Sequence, residues 1–189
     1  MPEALELLKT RRSFKAVELG GPPPSAAEID TLLTVASRVP DHGKLTPWRF
    51  IVFEGEARQA AGAAIAAAFA AKYPEAKPEH VEAERGRLLR APLVIAVVSR
   101  AAPHVKIPEW EQVLSAGAAA MSLVLAAHAL GYGANWITEW YAYDRGALDA
   151  LGLKPHERIA GFVHIGRPPG PPEDRPRPPL GEIATRFSA

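Results

Sequence analysis

Residues 37–55 read SRVPDHGKLTPWRFIVFEG, and this stretch joins a polar loop to a strand. Its first half is rich in cationic and hydrogen-bonding side chains and contains an Asp41-His42 pair. Its second half, WRFIVF at residues 48–53, is a run of aromatic and β-branched residues, which is typical of a strand. The stretch therefore predicts a polar loop that closes directly onto a strand of the core.

The Asp41-His42 pair allows two interpretations, acid–base or metal chemistry and the binding of a polar ligand. A metal site is disfavoured because His42 has no second histidine or carboxylate at i+3 or i+4. A serine hydrolase is disfavoured because no serine lies in a nucleophile elbow such as G-x-S-x-G. The chain has no cysteine, which excludes thiolate metal sites and cysteine nucleophiles. His42 and the nearby Arg38 are therefore interpreted as donors to a ligand.

The composition is that of a soluble globular protein, with 48% hydrophobic and 23% charged residues. A length of 189 residues suits one domain, so we expect residues 1–189 to form a single domain with an extended arm. The formal net charge of +1 argues against a nucleic-acid-binding surface. Because no apolar signal segment is visible near the N-terminus, we expect a cytoplasmic protein.

The longest apolar stretch, SAGAAAMSLVLAAHALGYG at residues 115–133, could be taken for a membrane span. It is rich in small residues, it contains His128, and it follows the charged segment EWEQ at 109–112. These features favour a buried core helix, with His128 as a packed core residue. Gly131 and Gly133 are expected to form a left-handed turn at its C-terminal end.

Residue patterns along the rest of the chain predict a helix-rich fold with about four strands. Ser25 and Glu28 form a capping box in front of a helix that ends by Pro40. Further helices are predicted at residues 3–10, 57–73, 81–90, 110–130 and 145–151, and strands at 48–53, 93–98, 134–138 and 159–165. This order predicts an α+β domain.

The tail RPPGPPEDRPRPP at residues 167–179 holds seven prolines in thirteen residues. Such a segment is extended and cannot form a helix or a central strand. We expect residues 167–189 to form a stiff arm that lies across the same chain or a partner subunit. A ligand for a peptide-recognition domain is the alternative.

Two further segments carry groups that suit a ligand. TRRSFK at residues 10–15 places three cations and a hydroxyl just past a helix, and arginine forks match phosphate oxygens. A solvated patch at a helix end is the alternative. NWITEW at residues 135–140 could line the edge of a planar heterocycle, although it is equally an ordinary strand. Neither a G-x-G-x-x-G motif after a strand nor a P-loop is present.

Taken together, these segments resemble the nitroreductase family of FMN-dependent NAD(P)H oxidoreductases, most closely its short bacterial branch. The resemblance covers nearly the whole chain. It is carried by ALELLKTRRS (4–13), SRVPDHGKLTPWRFIVFEG (37–55), RAPLVIAVV (90–98), KIPEWEQVLSAGAA (106–119), AAHALGYGANWIT (126–138) and IAGFVHIGRP (159–168).

The resemblance implies an α+β fold with a central, mostly antiparallel sheet flanked by helices. It also implies a homodimer that binds FMN at the subunit interface, with arms that wrap the partner. No nucleic acid or membrane is implied as a partner. For the FMN phosphate and ribityl chain it implies Arg11, Arg12, Ser13, Arg38, His42 and Arg177; for the isoalloxazine it implies Lys15, Trp136, Ile137 and Thr138.

For the nicotinamide nucleotide, the resemblance implies the segment 126–131. Its members are Ala126, Ala127, His128, Ala129, Leu130 and Gly131. Hydride would pass from NAD(P)H to flavin N5 and then to a nitroaromatic, quinone or similar acceptor, in a ping-pong sequence. The flavin is the reactive group, so no side chain is expected to be catalytic in itself. Lys15 would stabilise the negative charge of the reduced ring.

Two other functions are compatible with the same residues. One is a flavin-binding storage or sensor protein without efficient turnover. The other is an interaction module that works through the proline-rich arm.

Overall fold

Four strands form one antiparallel sheet in the computed structural model, which describes residues 3–188. The strands are β1 (Trp48–Glu54), β2 (Leu93–Ser99), β3 (Gly133–Ile137) and β4 (Arg158–Gly166). Their spatial order is β1-β2-β4-β3, and every neighbouring pair is antiparallel. The predicted α+β class with an antiparallel sheet is confirmed.

Helices cover both faces of this sheet. They are α1 (Ala4–Thr10), α2 (Ala26–Ala36), α3 (Glu56–Lys72), α4 (Pro78–Arg85), α5 (Glu109–Ala129), α6 (Arg145–Ala150) and α7 (Leu180–Ile183). The predicted capping box is present, since Ser25 Oγ accepts from the Glu28 amide at 3.4 Å and Glu28 Oε2 accepts from the Ser25 amide at 2.8 Å.

Alternating side chains of the strands divide the core into two layers. Leu93, Ile95 and Val163 pack against α2 and α5 on one face. Val94 and Phe162 pack on the other face against residues of α3 and α6. Both layers meet at β2, all of whose residues are buried, as its uninterrupted apolar sequence predicted.

Helix α5 is the core helix that the sequence predicted. Among residues 3–188 it is the one helix with an 18-residue window long and apolar enough to cross a membrane. Half of that window is buried inside the protein, where Ala116, Ala119 and Ala120 let the helix pack closely against its neighbours. The packing explains its apolar composition.

Two local predictions were wrong. The helix predicted at 81–90 ends at Arg85, because Gly86 caps it and a separate 3-10 turn follows at Arg87–Leu89. Gly131 has the left-handed φ of +81° that was expected, but Gly133 lies in β3 instead. A Cβ at Gly133 would lie 2.6 Å from Leu19 and 2.8 Å from Phe14, so glycine is needed there for close packing.

The N-terminal helix and the C-terminal arm add little to the core of a single chain. Helix α1 buries none of its residues, and its Leu5 and Leu8 are 60% and 57% exposed. Residues 169–188 are exposed throughout, and residues 171–179 belong to no helix or strand. Both elements present apolar side chains to solvent.

Candidate functional site

Strand β3 brings together two of the segments predicted to bind a ligand. The Phe14 amide donates to the Ala134 carbonyl at 3.3 Å. The Asn135 side-chain amide donates in turn to the Phe14 carbonyl. Residues 11–15 therefore run beside the start of β3. Trp136 and Ile137 form its other end, and Thr138 follows directly.

Three arginines form an uncompensated positive cluster beside this contact. The pKa of Arg11 is lowered by partial burial and by the charges of Arg12 and Arg177, so both of these arginines lie within electrostatic range of Arg11. Arg11 Nη1 donates to Ser13 Oγ at 3.4 Å, and Arg12 Nε donates to the Glu173 carbonyl at 3.3 Å. Within residues 3–188, none of the three arginines is paired with a carboxylate. An anion is the natural partner of such a cluster.

The start of the arm closes a cleft over these residues. A cavity of about 490 Å³ is lined by Arg12, Ser13 and Lys15 on one side and by residues 169–173 on the other. A second cavity of about 290 Å³ lies next to Arg11 and His128. The arginine cluster therefore borders open space that a ligand can enter.

Lys15 lies at the rim of the first cleft. Its Nζ is 3.3 Å from Glu18 Oε1, and its side chain is largely exposed. An exposed pair of this kind is worth little, so the ammonium group can turn to a ligand. Lys15 lines the same cleft as Arg12 and Ser13.

The residues that follow in β3 present a flat, partly exposed surface. The Trp136 indole crosses β4 and donates from Nε1 to the Ala160 carbonyl at 3.0 Å. It lies so close to Gly161 that a Cβ there would be 1.8 Å from Nε1. Beyond the half-buried Ile137, Thr138 is exposed, and its Oγ1 accepts from the Tyr143 hydroxyl at 2.8 Å.

Arg38 and His42 lie elsewhere. His42 Nδ1 is 2.8 Å from Glu111 Oε2 in the first turn of α5. The Ser115 hydroxyl, one turn further along α5, donates to the Pro40 carbonyl at 2.7 Å. The arginine cluster is next to His128 in the last turn of the same helix.

The two groups are therefore far apart in one chain. Glu111 and His128 are about 17 residues apart, which corresponds to about 26 Å along the axis of α5. A single chain does not bring Arg38 and His42 to the arginine cluster.

Asp41 organises the loop that carries His42. Its carboxylate accepts from the Leu45 amide at 3.0 Å and from the Thr46 amide at 2.8 Å. These bonds hold a turn in which Lys44 and Thr46 have left-handed φ values of +54° and +49°. Asp41 therefore orients the loop through these two bonds.

The segment predicted to bind the nicotinamide nucleotide is only partly accessible. Ala126 and Ala127 are 5% and 0% exposed and belong to the core, so their side chains cannot contact a ligand. His128, Ala129 and Leu130 are half-buried, and Gly131 is exposed. Within the predicted segment, only residues 128–131 are exposed enough to bind the nucleotide.

His128 is packed as the sequence indicated. Its ring lies 6.3 Å from the Phe14 ring, and within residues 3–188 its buried Nε2 has no hydrogen-bond partner. Burial, with a smaller effect from the charge of Arg11, lowers its pKa to about 4. His128 is therefore a neutral side chain in the wall of the cleft at neutral pH.

Two acidic residues near these segments had no predicted role. Glu111 binds His42, and Glu139 directly follows Thr138 and receives hydrogen bonds from Arg87, Arg90 and Tyr141. The bonds of Glu111 to His42 and of Glu139 to the two arginines join residues 49 to 69 positions apart, which no local pattern reveals.

Comparison with known proteins identifies relatives of this chain. The model of the family described as "Nitroreductase family" matches residues 8–167. The Escherichia coli K12 protein named "Putative NAD(P)H nitroreductase YdjA" is 36% identical over 166 residues, covering 88% of each chain.

Two solved structures share the fold. A nitroreductase-like family protein from Bacillus cereus superimposes with a TM-score of 0.85 at 24% identity, over 100% of this chain and 98% of the other. A Desulfovibrio desulfuricans protein, described as a "putative nitroreductase in complex with fmn", gives a TM-score of 0.74 at 25% identity and the same coverage. The arginine cluster, the sheet and these matches lead to one conclusion: the chain belongs to the nitroreductase family.

Proposed function

We propose that this protein is an FMN-dependent oxidoreductase that takes hydride from NADH or NADPH and passes it to a nitroaromatic, quinone or similar acceptor. The observation that carries the proposal is the uncompensated cluster of Arg11, Arg12 and Arg177 beside the start of β3. The name of the Escherichia coli relative and the FMN complex of the Desulfovibrio protein support it.

The residues present fit the polar part of FMN. Its phosphate would satisfy the arginine cluster, whose guanidinium groups lack any other anion within residues 3–188, and Ser13 adds a neutral donor beside them. Charge-assisted bonds of this kind are the strong ones, because each donor carries the opposite charge.

The residues beyond the cluster suit the ring. Trp136, Ile137 and Thr138 offer a flat side and a hydroxyl at the end of β3, and Lys15 offers a mobile cation at the rim. Bound FMN supplies a group that accepts hydride and releases it to a second substrate. The side chains bind and orient it, and none is assigned as a nucleophile or a base.

A complete site requires two copies of the chain. Arg38 and His42 are separated from the arginine cluster by nearly the whole of α5, so they can reach the same flavin only from a second copy. The exposed side of α5 favours such pairing, since Trp110, Val113 and Leu114 repeat at i, i+3, i+4 and are 68%, 40% and 53% exposed.

The same arrangement gives the arm a place. Residues 167–189 leave the end of β4, and their proline-rich part is stiff enough to reach across to a partner subunit. The apolar side chains of Leu180, Ile183 and Phe187, all exposed in one chain, would be covered there. We further propose that the nucleotide enters by the cleft at 128–131 and that the homodimer is cytoplasmic.

The visible spectrum of the purified protein tests this function. We expect the purified protein to be yellow, or to turn yellow and retain the flavin after FMN is added. In the absence of oxygen, NADH or NADPH should then bleach the yellow colour. A protein that binds no FMN would contradict the proposal. Flavin that is held but reduced by neither nucleotide would favour a storage or sensor role.

A further inference from the structure

A cluster of charged side chains lies behind the end of β3, on the face opposite α5. Glu84 is buried and is held by Arg87 through two bonds, Nη2 to Oε1 at 2.5 Å and Nε to Oε2 at 2.8 Å. Arg87 Nη1 also donates to Glu139 Oε1 at 3.0 Å, and Arg90 Nη1 donates to both oxygens of Glu139 at 3.0 Å. Two guanidinium groups thus balance two carboxylates.

Aromatic donors complete the cluster. The Trp140 indole donates to Glu84 Oε2 at 2.7 Å, and the buried Tyr141 hydroxyl donates to Glu139 Oε2 at 3.0 Å. Burial opposes the ionisation of Glu84, but its bonds to Arg87 and Trp140 outweigh burial and lower its pKa. Glu84 is therefore ionised. The donors of Arg87, Arg90, Trp140 and Tyr141 all point at the two carboxylates.

This cluster fixes the bend of the chain that follows β3. The ladder between β3 and β4 ends at the Ile137–Phe162 pair, so Thr138 has no strand partner. The next three residues, Glu139, Trp140 and Tyr141, all attach by their side chains to the cluster. The position of Thr138 is thus set by β3 on one side and by Glu139 on the other.

A purely stabilising role does not account for the arrangement. Buried ion pairs contribute little net stability compared with apolar packing of the same shape, because desolvation offsets their attraction. What they do provide is a single geometry, since each fork must meet its carboxylate. Here the fixed pairs hold Glu139, the residue directly after the segment 136–138.

We propose that Glu139, held by Arg87 and Arg90, is a positioning residue for the segment 136–138 at the flavin ring. Its carboxylate faces the two guanidinium groups and acts on the ring only through the backbone of Thr138. The inference rests on the proposed function. It assigns a role to the turn at 86–90, which is remote from the arginine cluster in sequence.

The test uses the full-length protein with FMN and compares Glu139→Ala with Glu157→Ala. Glu157 is the matched control because it is a buried carboxylate that pairs with Arg49 at 2.7 Å, as Glu139 pairs with its arginines. None of the bonds of the Glu157 side chain involves residues 136–141. The readouts are the visible circular dichroism of bound FMN, kcat and KM with NADH or NADPH, and the melting temperature.

Both variants should lower the melting temperature. Glu139→Ala should also change the flavin dichroism and lower kcat about tenfold, because a displacement of ~1 Å at a reacting centre can cost ~100-fold. Glu157→Ala should leave the dichroism and kcat at wild-type values. Where Glu139→Ala does not fold, Glu139→Gln keeps the shape and removes the charge, and the same changes are expected of it.

The outcomes separate the two proposals. Wild-type protein that binds no FMN would overturn the proposed function and the inference together. Wild-type protein that binds and reduces FMN, with a Glu139 variant whose dichroism and kcat match it, would overturn the inference alone. Equal changes of flavin dichroism and kcat in the Glu139 and Glu157 variants would also overturn it, since a general loss of stability would then explain both.

Discussion

His42 and Arg11 lie at opposite ends of helix α5. His42 is bound to Glu111 in the first turn, and Arg11 shares a cleft with His128 in the last turn. The distance along the helix is about 26 Å at 1.5 Å per residue. If both residues serve one flavin, two chains must pair so that the start of one α5 meets the end of the other.

Charge placed on the exposed side of α5 should prevent this pairing. Leu114→Glu puts a carboxylate into the Trp110–Leu114 surface, where it would be buried without a partner on dimerisation. We expect a monomer by light scattering after size exclusion, and loss of bound FMN. Tyr73→Glu, on the other face of the sheet, is the control and should stay dimeric. A dimeric Leu114→Glu protein would argue against this interface.

Removal of one guanidinium group should weaken binding of the phosphate specifically. Arg12→Ala should raise the Kd for FMN about 10- to 100-fold, since a hydrogen bond to a charged group contributes ~1.5–3 kcal/mol. Binding of riboflavin, which lacks the phosphate, should hardly change. Titration followed by flavin fluorescence measures both.

Arg175→Ala is the matched control for that experiment. Its side chain makes no bond to the cluster, and its carbonyl, which accepts from Arg177, is kept. The account would be wrong about the phosphate if Arg12→Ala lost FMN and riboflavin equally.

Gly161 should be needed for the orientation of Trp136. Gly161→Ala would place a Cβ 1.8 Å from Trp136 Nε1. The indole would therefore have to move and would lose its hydrogen bond to the Ala160 carbonyl. We expect a cost of ~1 kcal/mol in stability and a change in flavin affinity and turnover. Gly170→Ala, where a Cβ meets no atom within 4 Å, should have neither effect. If Gly161→Ala bound the flavin with unchanged affinity, Trp136 would not be part of the flavin site.

Acid should destabilise the protein partly through His164. Burial, aided by the charge of Arg90, lowers the pKa of this fully buried side chain from 6.5 to about 4. Between these values the unfolded chain binds the proton and the folded chain does not. The stability that neutral His164 allows is therefore complete above pH 6.5 and falls as the pH approaches 4.

Urea unfolding at several pH values tests this. One such histidine changes the unfolding free energy by at most ~1.4 kcal/mol per pH unit. His164→Gln should reduce the slope of stability against pH in this window, whereas the exposed His80→Gln should not. Parallel curves for wild type and His164→Gln would contradict the assignment.

Local patterns predicted the elements of the fold well because their causes are local. The continuous apolar run of β2 and the capping box of α2 each carry their signal within a few residues. Gly133 was misassigned because its reason is contact with Phe14 and Leu19, which come from a distant part of the chain. Helix α4 ends early because Gly86 and Arg87 turn the chain toward Glu84.

The sequence predicted which types of residue form the candidate site, but not how the fold brings them together. The sequence indicated that Arg11, Arg12 and Ser13 suit a phosphate. The bond from Phe14 to Ala134 shows that their segment lies beside β3, the strand that carries Trp136. It could not show that His42 binds Glu111, because pairing across 69 positions depends on the fold. The separation of His42 from the arginines along α5 is visible only in three dimensions.

The central claim is that each flavin is held by residues of two chains, and a hybrid dimer tests it most directly. Arg12→Ala and Arg38→Ala homodimers should each bind FMN poorly at both sites. In a hybrid of the two, purified with two different affinity tags, one site carries both substitutions and the other carries neither. We predict one tightly bound FMN per hybrid dimer, and a hybrid that binds FMN as poorly as its parents would contradict the account.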